Sequence, residues 1–226
     1  MEFNINHIIF MIPALLFAIV VHELGHGYVA YKFGDSTPKL AGRLTLNPIP
    51  HLDPIGSILL PALLIIFHSP VLFGWAKPIP INPYNFKKIG IRIGSAITSF
   101  AGPGMNLSSA FIFGILFQIL SSKSTLQSVA STFGVGFVES VIFPLLIFFK
   151  YAVSINVILA IFNLLPIPPL DGGRILMSLL PPHLEAKLVE FENYGFIVII
   201  ALLILGVINF IILPPYFFLV SLFLGN

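Results

Sequence analysis

Two histidines and a glutamate stand together in the run His22-Glu23-Leu24-Gly25-His26. On a helix, side chains four apart lie on one face about one turn from each other, so both imidazoles can reach one ion. Zinc accepts imidazole nitrogen at about 2.0–2.1 Å and keeps one coordination position open where it is catalytic. Glu23, beside the first ligand, is placed to take a proton from water activated by the metal. The chain contains no cysteine, which excludes thiolate ligands, a disulfide framework and a cysteine nucleophile. Nitrogen and oxygen donors in a tetrahedral set favour zinc over other divalent ions, and one Zn2+ per chain is expected.

A second candidate lies in Phe162-Asn163-Leu164-Leu165-Pro166-Ile167-Pro168-Pro169-Leu170-Asp171-Gly172-Gly173-Arg174. Pro166, Pro168 and Pro169 cannot continue a helix, so an apolar span ends here in extended chain. Irregular backbone at membrane depth is tolerated only where it is buried in protein or lines a watery cavity. Asp171 follows that break, and Gly172-Gly173 lets the backbone approach closely before a new helix begins near Arg174. A carboxylate oxygen from Asp171 would complete a His2Asp ligand set; the alternative is an ordinary helix N-cap.

The elements that position these groups follow from composition. Of 226 residues, 57% are hydrophobic and 9% charged, with a mean hydropathy of +1.02. Soluble proteins carry about 25% charged residues, so the bilayer must be much of this chain's solvent. The expected fold is an all-α polytopic membrane protein, a single domain over residues 1–226. About four to six transmembrane helices are expected, with an extended or re-entrant segment between the first two long ones. A net charge of +2 spread over several loops gives no nucleic-acid footprint.

The first apolar run begins at Ile8 and continues through the histidine pair to Tyr31, meeting a charge of the loop only at Lys32. No basic n-region precedes it, so it is expected to stay in the mature protein. Ionisable groups inside a span are rare unless they face a polar interior with partners. The second run is Ile93 to Leu120, with Ala101-Gly102-Pro103-Gly104-Met105-Asn106 near its start. The third covers roughly Val135 to Leu165, interrupted by Pro144 and Lys150. The fourth runs from Phe196 to Leu213 and is closed by Pro214-Pro215, with a short apolar tail beyond.

Between the first two runs, Gly34 to Ile91 is rich in proline, glycine and threonine and reads as extended chain and turns. Its apolar middle, 55–73, has basic residues on both flanks: Lys32, Lys39 and Arg43 before it, Lys77, Lys87, Lys88 and Arg92 after it. Cytoplasmic loops collect lysine and arginine, so this piece is expected to re-enter rather than cross. The first helix then runs from outside to cytosol. At about 1.5 Å per residue, the histidine pair lies inside the hydrocarbon, nearer the cytosolic face. Lys150 is expected at the outer interface.

The motifs HELGH on a first membrane helix, AGPxxN on a second and FNLLPIPPLDGGR after a third resemble those of the site-2 protease family of intramembrane zinc metalloproteases. The segment 42–57 with 74–86 is similar to a compact bacterial and archaeal subgroup. The resemblance implies an integral cell-membrane enzyme hydrolysing peptide bonds in or near the transmembrane segments of membrane-anchored protein substrates. It implies His22, His26 and Asp171 as zinc ligands and Glu23 as general base. It also makes Asn163 a candidate for polarising the scissile carbonyl or holding the substrate strand, against a plain hydrogen bond between helices. Asn106 has the same two readings, substrate contact or helix packing.

The larger relatives' peptide-binding or nucleotide-sensing domains have no room in this chain, so gating is expected from the 34–91 segment or another protein. A metal transporter would also bury histidine and aspartate among helices but has little need of Glu23 as a base. A catalytically silent membrane adaptor has no need of an intact HELGH. His51 and Asp53 read as a polar loop, with a supporting or pH-sensing role as the alternative. His68 and His183 read as interfacial side chains. Glu185, Glu190, Glu192 and Lys187 read as the solvated face of a cytosolic helix.

Overall fold

The protein is described by a computed structural model that covers residues 5–59, 63 and 76–225. Seven helices carry the architecture among these residues: α1 Ile5–Phe33, α2 Ile91–Ser121, α3 Lys123–Phe133, α4 Val135–Asn163, α5 Asp171–Leu179, α6 Pro182–Ile204 and α7 Val207–Leu224. No strand occurs among the described residues. Four of the helices are long and apolar enough to cross a membrane, namely α1 from Ile8, α2, α4 and α7. The fold is therefore the expected all-α polytopic one. Most of the apolar piece 55–73, and with it His68 and its expected re-entry, lies outside the described residues; Pro54–Leu59 forms a turn of π-helix.

Helix α2 is the centre of the bundle, packed against α1, α4 and α5. Its buried side includes Gly94, Thr98, Gly102, Asn106, Ala110 and Gly114, a small or compact residue every fourth position. Helices in lipid associate through such stripes because small side chains let backbones approach. At the α1 contact the approach is so close that a Cβ on Gly25 would lie 2.6 Å from the Ala101 carbonyl oxygen. At the far end a Cβ on Gly114 would lie 2.6 Å from the carbonyl oxygen of Phe223 in α7. Buried Ala110, Val153, Val157 and Leu224 join α2, α4 and α7 in one apolar cluster.

Two breaks differ from the sequence expectation. Pro144 does not interrupt α4; the wider turn Val138–Ile142, a π-helix, immediately precedes it. Proline has no N–H to give to the preceding turn and its ring crowds that turn, which a wider turn relieves. The fourth apolar run breaks at Gly206 instead of at Pro214-Pro215. Gly206 takes φ +73 between α6 and α7, a left-handed conformation that glycine adopts without a Cβ clash. Helix α7 then carries both prolines inside it.

The chain leaving α1 is pinned to the segment entering α2 through Asp35, whose side chain is fully buried. Its Oδ1 accepts hydrogen bonds from the Thr37 hydroxyl at 2.6 Å and the Asn85 amide at 2.9 Å, and its Oδ2 accepts from the Asn82 backbone N–H at 2.7 Å. Burial pushes this carboxyl up, but the bonds from Asn85, Thr37 and Asn82 outweigh it and hold it below the usual carboxylate range. A depressed folded-state value stabilises the fold above the unfolded value, about 3.9, and the contribution is lost as pH falls through the folded value. Asp35→Ala is therefore expected to lower thermal stability in detergent at pH 7, by about 3 kcal/mol for the orphaned donors. The gap between variant and wild type should close as the pH drops below the ordinary carboxylate range.

Candidate metal centre

Helix α1 places His22 and His26 one turn apart on the side facing α2, and α5 brings Asp171 to them from its first residue. His22 Nε2 and His26 Nε2 are 3.1 Å apart, and Asp171 Oδ2 lies 3.2 Å from each. The sequence left helix capping open for Asp171. The N-cap position is Leu170, with no side-chain cap bond, and the Asp171 carboxylate is turned to the two rings.

The ring orientations are set by the other nitrogens. His26 Nδ1 lies 2.7 Å from the Thr98 carbonyl oxygen, which can only accept, so Nδ1 carries the proton. His22 Nδ1 lies 2.6 Å from Asn106 Oδ1. The Asn106 amide donates to the Ala18 carbonyl and to Asn156 Oδ1, so its oxygen is the atom left for His22, and that Nδ1 is also protonated. In the neutral rings both Nε2 atoms are then bare lone pairs facing each other and a carboxylate. Asp171 Oδ2 is buried and receives no hydrogen bond. Three converging acceptors without a proton between them call for a cation. Donors about 2.0–2.1 Å from a shared tetrahedral zinc would stand about 3.3–3.4 Å apart, close to the separations here. The donor set fits zinc.

The space for an ion depends on Gly102. A Cβ there would run into the His26 ring and lie 2.8 Å from His22 Cε1. Gly102→Ala is expected to weaken zinc binding by about 5–150-fold, the equivalent of the 1–3 kcal/mol that overpacking typically costs. Gly104→Ala, whose Cβ would meet the Phe100 ring at an ordinary 3.5 Å, should bind as wild type. Zinc competition with a chromophoric chelator measures both.

A cavity of about 430 Å³ opens above the centre, with His22, Glu23, His26 and Asp171 in its wall. Glu23 stands on the same helix, and its Oε2 accepts a hydrogen bond from the Ile79 backbone N–H at 2.7 Å. Residues 76–82, of which Pro78, Ile79 and Ile81 line the cavity, form a strap without helix or strand. It is tied at one end by the Lys77 N–H to the His51 carbonyl and by the Arg43 guanidinium to the Lys77 carbonyl, and at the other by Asn82 to Asp35.

His51 is fully buried, its Nε2 3.0 Å from the Thr45 carbonyl, so it is an anchor of this loop rather than a solvated side chain. Asp53 accepts from the N–H groups of Ile55 and Gly56. Asn163 lines the cavity at the end of α4, with one amide proton given to the Leu159 carbonyl at 2.9 Å.

Sequence reasoning placed the two histidines, Glu23, Asp171 and Asn163 at one site, and all five border this cavity. Asn106 meets His22 instead of open cavity. Asn156, the Thr98 carbonyl and the Ile79 N–H were not foreseen. Asn156 had a signal, an amide in an apolar span; the two backbone groups had none, because any residue type supplies them.

Residues 84–206 match Peptidase family M50, a stretch that contains Asn106, Asn163 and Asp171. "Putative zinc metalloprotease YwhC" of Bacillus subtilis is 42% identical over 205 residues, 91% of this chain and 84% of that protein. "Putative zinc metalloprotease Rip2" of Mycolicibacterium smegmatis is 28% identical over 201 residues, 89% of this chain and 69% of that protein. "Zinc metalloprotease MJ0392" of Methanocaldococcus jannaschii is 30% identical over 167 residues, 74% of this chain but 33% of that protein. No solved structure matches the chain.

Proposed function

The chain belongs to peptidase family M50, the site-2 protease family, and as a membrane metalloprotease of that family we propose that it hydrolyses peptide bonds in or beside the spans of membrane-anchored proteins. His22, His26 and Asp171 would hold one zinc ion. Their three bare donor atoms, each within 4.8 Å of the others beside a glutamate and a cavity, are the observation that carries the reading. When bound, zinc supplies Lewis-acid polarisation of a peptide carbonyl and makes water more acidic.

Glu23 has one carboxylate oxygen tied to the Ile79 N–H, which leaves Oε1 to take a proton from the attacking water. The same atom then returns that proton to the leaving amine as the C–N bond breaks. Asn163 keeps one amide proton beyond its bond to Leu159, and we assign that proton to the carbonyl oxygen where charge develops. A transmembrane helix must unwind to expose its backbone, and the 76–82 strap, outside helix and strand, offers main chain along which an unwound segment can add. All 226 residues act as a single membrane domain in this reading. The excess of Lys and Arg around 32–43 and 77–92 supports a cell-membrane enzyme with its site nearer the cytosol.

Removal of the metal tests the assignment. A tagged single-span protein co-reconstituted with the purified enzyme is expected to be cut, the cutting to stop with a chelator, and to return when zinc is restored. Cleavage that persists in chelator-treated protein verified free of metal would overturn the reading.

A further inference from the structure

Asn156 lies about two turns before the end of α4 with no exposure to solvent, in the run Tyr151-Ala152-Val153-Ser154-Ile155-Asn156-Val157-Ile158-Leu159-Ala160. An amide at this depth is costly unless it is partnered, and an intramembrane polar group of this kind points to a task. The hydrogen bonds of Asn156 define that task. Its Nδ2 donates to the Ala152 carbonyl at 2.8 Å, an atom that can only accept, so its Oδ1 is directed the other way. There it accepts from Asn106 Nδ2 at 2.8 Å. The second Asn106 proton goes to the Ala18 carbonyl at 2.9 Å, which turns Asn106 Oδ1 to His22 Nδ1. A backbone carbonyl of α4, acting through two amides, thus joins the Ala18 carbonyl of α1 in determining which nitrogen of His22 is protonated.

We propose that Asn156 is a positioning residue for the metal centre, holding the Asn106 amide so that His22 presents a bare Nε2 to the ion. The proposal rests on His22, His26 and Asp171 being the metal-binding set. Without Asn156, one buried Asn106 N–H loses its partner, and only the bond to the Ala18 carbonyl still holds the amide against a flip about its broad, roughly two-fold terminal torsion. In the flipped well the amide donates to His22 Nδ1. The ring proton then moves to Nε2, the atom that faces Asp171, and competes with the ion. Outer partners of metal-bound histidine act in this way, fixing tautomer and ring orientation.

The test uses zinc-free purified protein in detergent and zinc affinity by chelator competition. Asn156→Leu removes both bonds and keeps an apolar volume suited to the span. Asn156→Ser retains reach to the Ala152 carbonyl but not to Asn106, so it isolates the relay should the leucine variant fail to fold. Each is expected to bind zinc about 10–100-fold more weakly, the range for outer partners of a metal ligand. In an Asn106→Leu background the same changes should add little, because the relay is already cut. Nitrogen-15 spectra of the zinc-free protein should show His22 as the Nδ1–H tautomer in the wild type and a mixture with the Nε2–H tautomer in the Asn156 variants.

Wild-type affinity in the folded Asn156 variants overturns the proposal, as does full additivity with Asn106→Leu. A wild-type protein that binds no zinc removes the metal-centre reading itself, and so is distinguishable from failure of the relay alone.

Discussion

Glu23→Gln is expected to lower peptide-bond hydrolysis by about 10²–10⁴-fold, the contribution typical of a positioned general base, with zinc retained near one per chain. Glutamine has the same shape, and its amide oxygen can accept the Ile79 N–H that Glu23 Oε2 accepts now. The strap therefore keeps its tie to α1. The bare donors of His22, His26 and Asp171 are untouched, so metal binding has no reason to change. What the amide cannot do is take a proton from water. Single-turnover cleavage beside metal analysis by mass spectrometry separates the two effects, and a joint loss of zinc and activity would count against Glu23 as the base. A transporter built on the same ligands would move zinc across vesicles equally well with either residue.

Asp171→Ala should produce the opposite pattern, loss of the metal itself. Asp171 supplies the one anionic donor, 3.2 Å from both Nε2 atoms, and its removal leaves two neutral imidazoles. The fall in affinity should exceed the 10–100-fold typical of outer partners, and zinc should be absent after gel filtration. The fold should survive, because the side chain does not cap α5 and Oδ2 accepts no hydrogen bond. Near-stoichiometric zinc in the purified Asp171→Ala protein would mean that the ligands lie elsewhere.

Much of this site is written in residue types and their spacing. Histidines four apart with a glutamate between them can be read on any helix, and the prolines before Asp171 announce a break in a span. The AGPGMN run identifies a helix contact, but its two glycines do different things. Gly102 clears space for the rings, and Gly104 meets only Phe100. That difference depends on which face of α2 turns to α1, a property of tertiary packing. Asn106 was legible as a polar group, yet its link to His22 spans 84 positions of sequence.

The tie from Glu23 to Ile79 uses a backbone N–H, which no residue type announces. Helix boundaries show the same limit. A proline pair looked like the end of the last span, whereas the chain turns at Gly206, where a left-handed residue satisfies the end of α6.

Intramembrane proteolysis is tested most directly by mapping new N-termini on membrane proteins co-reconstituted with purified wild-type enzyme or with Glu23→Gln. New termini are expected within or beside transmembrane segments with the zinc-loaded wild type, and none with Glu23→Gln carrying the same zinc. Equal cutting by both forms would contradict that expectation, as would a zinc-loaded wild type that generates no new termini.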